Sequence, residues 1–197
     1  MTFKVKDYYF NKAKKENFLA RSVYKLEEID QRFKILGKGD LVLDLGYAPG
    51  SWAQYTASKV GLEGHVYGID LKEITKSLLG HKNMTLFKKD AFTLEDVSEL
   101  GIPRKVDVLL SDMAPNTTGI RSVDQDRSLL LVEKVIDFAA TALRPGGHIV
   151  VKVFDSHAAQ VYLKQKKSSF ESFQFLKPKS TRSVSKEFFV IGKGYRA

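Results

Sequence analysis

Leu41-Val42-Leu43-Asp44-Leu45-Gly46-Tyr47-Ala48-Pro49-Gly50-Ser51-Trp52 is the stretch on which the fold turns. Leu41 to Leu45 is a short apolar run between Gly39 and Gly46, which predicts a buried strand. A glycine-bounded turn comes next, and Ser51 opens a helix that runs to about Val60. Strand, tight turn and helix in immediate succession make the first unit of an alternating α/β chain.

The same alternation continues outward. Residues 19–34 read as a helix, with Leu19, Val23, Leu26, Ile29 and Phe33 at three- and four-residue spacings. Short strands are predicted at His65–Ile69, Met84–Phe87, Val106–Leu110 and His148–Phe154. Asp124–Leu143 reads as a long helix stopped by Arg144-Pro145-Gly146-Gly147, and Ser156–Phe170 as another. Phe173–Leu176 and Glu187–Ile191 close the pattern as a hairpin-like pair of strands. Continuous apolar strands joined by helices predict a parallel sheet covered on both faces.

Sheets of this kind bind ligands beyond the carboxyl ends of their strands. At those ends stand the 46–52 turn, Asp70, Asp90, Asp112 and Lys152. Asp70 lies 20 residues after Gly50, where a carboxylate accepts both hydroxyls of a ribose. Asp90 is placed to accept from an adenine amino group. The turn is not Gly-x-Gly-x-x-Gly, because Pro49 and Trp52 occupy places where a pyrophosphate needs open backbone. A nucleoside without phosphates suits it better. Trp52 belongs either against that ligand or in the core, and Asp44, inside the strand, is expected to orient the turn.

Composition narrows the chemistry. With no cysteine among 197 residues, disulfides and thiolate metal sites are excluded. The four histidines, His65, His81, His148 and His157, show no paired metal-ligand spacing and read as surface or packing residues. No apolar run approaches a bilayer span, and a soluble cytoplasmic monomer of one domain is expected, with residues 1–18 as a basic extension. The net charge of +9 is unevenly spread: residues 1–25 carry +5, residues 164–197 carry +7, and the middle carries −3. If the two ends meet on one face they form a basic surface for a polyanion.

Three segments then carry a resemblance. Asp44 to Trp52, Ser111-Asp112-Met113-Ala114-Pro115-Asn116-Thr117-Thr118-Gly119 and Val150-Val151-Lys152-Val153-Phe154 resemble the FtsJ/RrmJ (RlmE) family of ribosomal RNA ribose 2′-O-methyltransferases. Arg21-Ser22-Val23-Tyr24-Lys25-Leu26 and Arg182-Ser183-Val184-Ser185-Lys186-Glu187 resemble its flanking motifs, so the likeness runs from about Phe18 to Gly194. The resemblance implies a Rossmann-like methyltransferase fold. Its sheet has seven strands, mostly parallel with one antiparallel strand, and helices on both faces. S-adenosylmethionine is the implied cofactor, no metal is implied, and RNA is the implied partner. The RNA is expected to be large-subunit ribosomal RNA within the assembled subunit.

The resemblance also implies a catalytic tetrad of Lys25, Asp112, Lys152 and Glu187. The implied cofactor site is the turn Gly46, Tyr47, Ala48, Pro49, Gly50, Ser51 and Trp52, with Asp70, Asp90 and Asp112. The family turn reads Gly-Ala-Ala-Pro-Gly-Gly-Trp, so Tyr47 and Ser51 are departures. Tyr47 adds bulk near the cofactor's amino-acid end, and Ser51 stands at a helix start where a hydroxyl can cap. Lys152 lies in an apolar run where an unpartnered charge is costly. It is expected either to take the hydroxyl proton or, as an ammonium, to steer the oxygen. The basic side chains expected on RNA are Lys4, Lys6, Lys12, Lys14, Lys15 and Arg21 before the first tetrad residue, and Lys177, Lys179, Arg182 and Lys186 before the last. Tyr8, Tyr9 and Phe10 either stack on bases or pack on the domain.

Three rival readings share some of these features. A nicotinamide-dependent oxidoreductase would need the pyrophosphate glycines and a Tyr-x-x-x-Lys pair. A non-catalytic RNA-binding module would bind without methyl transfer, and a small-molecule methyltransferase would need no basic ends. Transfer to tRNA or to an mRNA cap is the alternative within the class.

Overall fold

The computed structural model describes residues 8–197. In chain order its elements are α1 (Tyr8–Lys15), α2 (Val23–Phe33), β1 (Leu41–Leu45), α3 (Ser51–Val60), β2 (His65–Asp70), β3 (Met84–Lys88) and β4 (Val106–Ser111). They continue with α4 (Arg121–Ala142), β5 (Leu143–Phe154), α5 (His157–Lys166), β6 (Phe170–Leu176) and β7 (Glu187–Tyr195). The strands form a single sheet in the order β3-β2-β1-β4-β5-β7-β6. The pairs from β3 through β5 are parallel, and β7 is antiparallel to both of its neighbours. One strand therefore runs against the other six, as the family resemblance implies.

Two apolar layers enclose this sheet because alternate residues of a strand point to opposite faces. Val42, Val108, Leu110, Val150 and Phe189 pack with Leu26 and Ile29 of α2 and with Trp52, Ala53 and Val60 of α3. Leu43, Leu109, Ile149, Val151 and Val190 pack on the other face with Val132, Val135 and Ala139 of α4 and with Leu163 of α5. A central strand is covered on both faces, so β4 is buried throughout; it is aliphatic except at its second and last positions, Asp107 and Ser111.

Several boundaries differ from the sequence reading. The helix expected at 19–34 begins at Val23. A separate helix, α1, occupies part of the expected basic extension, and its Tyr9 packs on Tyr24 with ring centroids 5.5 Å apart. The helix expected to be stopped by Arg144-Pro145-Gly146-Gly147 already ends at Ala142, and those four residues lie within β5, which the chain enters directly at Leu143. The α5 helix stops at Lys166, a short 3₁₀ turn comes next, and β6 starts at Phe170 rather than Phe173.

At the amino-terminal edge of the sheet, Asp107 ties three strands. Its carboxylate accepts from the Leu41 N–H at 2.8 Å, from Arg104 at 2.8 Å and from the Arg144 Nε. Burial alone would raise its pKa, but these donors outweigh it and hold the carboxyl below its ordinary value. At the opposite, carboxyl edge, β1 has β2 on one side and β4 on the other. The chain therefore leaves β1 in one direction and returns on the other side, and a crevice opens between them.

Candidate active site

A cavity of about 740 Å³ fills that crevice, lined by Gly46, Ala48, Asp70, Asp90, Asp112 and the segment from Met113 to Asn116, among others. Such a volume lies within the range of small-ligand sites. Gly46 adopts φ +77°, and a Cβ there would fall 2.3 Å from the Met113 Cγ, so only glycine allows the turn to pass this close. Asp70 braces the turn: its two oxygens accept from the Ala48 N–H at 3.0 Å and the Lys72 N–H at 2.9 Å. Asp90 accepts from the Phe92 N–H at 2.9 Å and so caps the short 91–93 turn.

The rest of the expected cofactor turn does not line this cavity. Trp52 is 2 % exposed, its indole N–H donates to the Ser22 carbonyl at 2.9 Å, and its ring lies 5.7 Å from that of Phe189. It is a core residue. Tyr47 is buried over Gly68, where a Cβ would come within 2.9 Å of its ring, so its bulk falls on the sheet and not in the cavity. Gly50 faces Leu78 and Leu19, and Pro49 contributes a carbonyl to the Thr75 hydroxyl at 2.9 Å. Ser51 does not cap α3; its hydroxyl bonds that of Ser22 at 3.0 Å.

Asp44 also departs from expectation. It is fully buried and neither carboxylate oxygen has a hydrogen-bond partner, so Asp70, not Asp44, orients the turn. Burial first, then the nearby charges of Asp112 and Asp70, push its pKa well above the ordinary value. The folded chain then keeps a proton that the unfolded chain has released, so this group makes stability fall as pH rises above the unfolded carboxyl's pKa of about 3.9. Asp44→Asn should remove that slope. Thermal melts at pH 5 and pH 8 should show a variant gaining on wild type at the higher pH; parallel profiles would mean that Asp44 folds as an ordinary carboxylate.

Strand register brings the four tetrad side chains together. In β5 and β7, Lys152 pairs with Phe189 and Phe154 with Glu187, so Lys152 and Glu187 share a face on a diagonal. Diagonal neighbours stand about 7–8 Å apart. Ser111 pairs with Val151, which puts Asp112 beside Lys152. The Lys152 ammonium, 9 % exposed by residue, donates to the Asp112 carbonyl and lies 3.1 Å from the Asp112 Oδ1. Lys25 reaches in from α2, pairs with Glu187 and lies 5.7 Å from the centre of the Phe189 ring. The Lys25–Glu187 pair thus stands by the Phe189 ring, and strand register sets the Lys152–Asp112 pair next to it, with Asp112 on the cavity wall.

The two basic ends of the chain also meet. Arg21 donates to the Ser180 carbonyl, and the Lys179 N–H donates to Glu28 of α2 at 2.8 Å. Burial and neighbouring Arg182 lower the Arg21 pKa, with Glu187 opposing. Lys14 and Lys15 are exposed, and Lys12 lies 4.2 Å over the Tyr24 ring. Lys177 bonds the Ser185 carbonyl at 2.8 Å, and Lys186 directly precedes Glu187. Lys4 and Lys6 fall outside the described residues. Tyr9 packs inward, whereas Tyr8 and Phe10 are exposed.

Sequence reasoning missed Lys72, Lys89 and Phe92 on the cavity, and Asp124 beyond it. Asp124 accepts from the Thr118 N–H and hydroxyl at 2.7 and 2.9 Å and from the Gly119 N–H at 3.2 Å, fixing the loop after β4. The only signal for it in the sequence was an acid in the first turn of a helix. Among the described residues no helix is long and apolar enough to cross a membrane.

Known proteins resemble this chain closely. The sequence model of the FtsJ-like methyltransferase family matches residues 18–195. A Bdellovibrio bacteriovorus protein named ribosomal RNA large subunit methyltransferase E is 46% identical over 195 residues, covering 98% of both chains. A Syntrophobacter fumaroxidans protein of the same name is 46% identical over 197 residues, covering 100% of this chain and 99% of its own. A solved Plasmodium falciparum structure, assigned as a ribosomal RNA methyltransferase, has a TM-score of 0.77 at 24% identity, with 90% of this chain and 98% of its own covered. That last likeness is one of fold.

Proposed function

Since this chain belongs to the FtsJ-like methyltransferase family, we propose that it transfers a methyl group from S-adenosylmethionine to a ribose 2′-hydroxyl of large-subunit ribosomal RNA. The acceptor is a uridine in the assembled subunit, and the protein works as a cytoplasmic monomer without a metal. One observation carries the reading: Lys25, Asp112, Lys152 and Glu187 come from four distant segments and converge as two ion pairs beside a nucleoside-sized cavity.

The donor set suits the cofactor. Asp70 and Asp90 present carboxylates to a cavity closed by the glycine turn, and carboxylates match ribose hydroxyls and an adenine amino group. Gly46, Ala48, Asp70, Asp90 and Asp112 would hold S-adenosylmethionine, which when bound supplies an electrophilic methyl group.

The chain's own residues then align the attacking oxygen. An ammonium has three N–H bonds. One of those of Lys152 is engaged by the Asp112 carbonyl, while the Asp112 carboxylate pairs with the ammonium by charge at 3.1 Å without a hydrogen bond, which leaves N–H bonds free for the 2′-oxygen. The Asp112 carboxylate beside the lysine suits steering of the oxygen over proton abstraction, and the hydroxyl proton leaves late, to water. Holding the reacting atoms in line replaces a bimolecular encounter with a positioned one. The Lys25–Glu187 pair holds the far side of the sugar, and the joined basic ends take the phosphates, which orient the RNA without reading its sequence.

Incubation with labelled S-adenosylmethionine and large subunits from a strain lacking the enzyme tests this. The label should appear as a 2′-O-methyl nucleoside after nuclease digestion. Absence of label, or label on a base, would refute the reading.

A further inference from the structure

A second cavity, of about 290 Å³, lies on the Glu187 side of the tetrad. Its walls include Gly119, Arg121 and Gln125 from the start of α4, Phe154 at the end of β5, and Lys186 with Glu187 at the start of β7. It shares no lining residue with the larger cavity, whose wall includes Asp112. The two ion pairs therefore form the partition: one cavity touches Asp112 and the other touches Glu187.

The chemistry of the smaller cavity differs from that of the larger. The larger one sets three carboxylates, Asp70, Asp90 and Asp112, against two cations, Lys72 and Lys89, and so offers acceptors in excess. The smaller one carries two cations, Arg121 and Lys186, with an aromatic ring and a carboxamide, and its two carboxylates are already engaged, Asp124 by Thr118 and Gly119 and Glu187 by Lys25. Arg121 and Gln125 are four residues apart on α4 and so share a face. The Gln125 amide donates one N–H to the Asp155 carbonyl at 2.5 Å. That bond fixes the amide, so its oxygen and remaining N–H form a set donor–acceptor pair. Gly119 at the rim is held by Asp124 through the N–H bond at 3.2 Å. Cations suit phosphates, a ring suits a base, and a fixed amide suits a base edge. A single nucleotide carries all three features.

We propose that this second cavity seats the acceptor nucleotide of the RNA, with Arg121 on a flanking phosphate and Gln125 on the base edge. The inference rests on the RNA reading above and deepens it. The ribose then lies at the partition, with its 2′-oxygen toward Lys152 and its base directed away from the larger cavity. Gln125 acts as a specificity-determining residue, and Arg121 anchors the backbone.

The test uses the full chain and the large subunits described above. Arg121→Ala should raise KM for the subunits about tenfold and leave the dissociation constant for S-adenosylmethionine unchanged. It should also make the dependence of log affinity on log salt shallower by about 0.7–0.9, the share of one phosphate. Arg121→Lys should restore the salt slope, which a merely structural role would not produce. Gln125→Ala should narrow the preference between uridine and cytidine at the target position. If Arg121→Ala and Gln125→Ala match wild type in KM, salt slope and base preference, the second cavity is not the acceptor site, although methyl transfer to RNA stands. If wild type itself labels no RNA while binding the cofactor, the RNA reading fails and this inference with it.

Discussion

Lys152→Ala should lower kcat about 10²- to 10⁴-fold, the range associated with loss of a group that handles the reacting proton or oxygen. The dissociation constant for S-adenosylmethionine should change by no more than a few-fold, because Lys152 does not line the larger cavity. The fold should survive. Asp112 loses its counter-ion, but its side chain is 19% exposed and water can solvate it. The reverse substitution, Asp112→Ala, is a poorer probe: it strands a lysine whose side chain is only 8% exposed, and it opens the cavity wall. Lys152→Arg should not rescue, since a planar guanidinium cannot take both Asp112 contacts and still reach a third oxygen with the same geometry. Single-turnover rates at saturating cofactor are the measurement. A variant within tenfold of wild type would remove Lys152 from the chemistry.

Asp107→Ala should give the largest loss of stability, about 2–3 kcal/mol, with no direct effect on the site. The substitution removes two charge-assisted hydrogen bonds and leaves the Leu41 N–H without its acceptor. Arg104 and Arg144 are each about half exposed, which keeps the figure below that of a wholly buried pair. The sign with pH comes from the depressed pKa of Asp107. Its stabilisation is present above the unfolded carboxyl's value of about 3.9 and is lost as pH falls through the lower folded value. The gap between wild type and Asp107→Ala in denaturant melts should therefore be full at pH 7 and shrink below pH 4. A constant gap would show that packing, not charge, carries the effect.

The parts of the fold that repeat a physical rule were legible in the sequence. β1, β4 and the second half of β5 announce themselves because a strand buried on both faces is apolar at consecutive positions, whereas β3, at the sheet edge, is only half-buried. Asp70, Asp90 and Asp112 stand out because each comes at or just beyond the carboxyl end of an apolar run. The basic ends could be counted but not joined; only contacts such as Arg21 with Ser180 unite them. The α1 helix was invisible because Tyr8–Lys15 buries a single residue, Ala13, and so has no apolar stripe. Trp52 illustrates a different limit. The sequence puts it at the first turn of a helix beside the site, but the direction of its ring depends on Ser22 and Phe189, which are remote in the chain. Of the second cavity only Lys186 and Glu187 gave a signal: Arg121 and Gln125 are ordinary residues of a helix face until β7 is laid against β5.

The position of β7 bears on how the protein is made. It lies between β5 and β6 although it is the last of the three to leave the ribosome. Until Glu187 to Tyr195 emerge, the β5 edge stays open and β6 has no neighbour to pair with, a state in which exposed edges invite aggregation. Translation must therefore run past Tyr195 before Lys25 acquires its carboxylate partner. A nascent or prematurely terminated product that stops short of β7 carries the 46–52 turn but lacks Glu187 and with it the Lys25 ion pair.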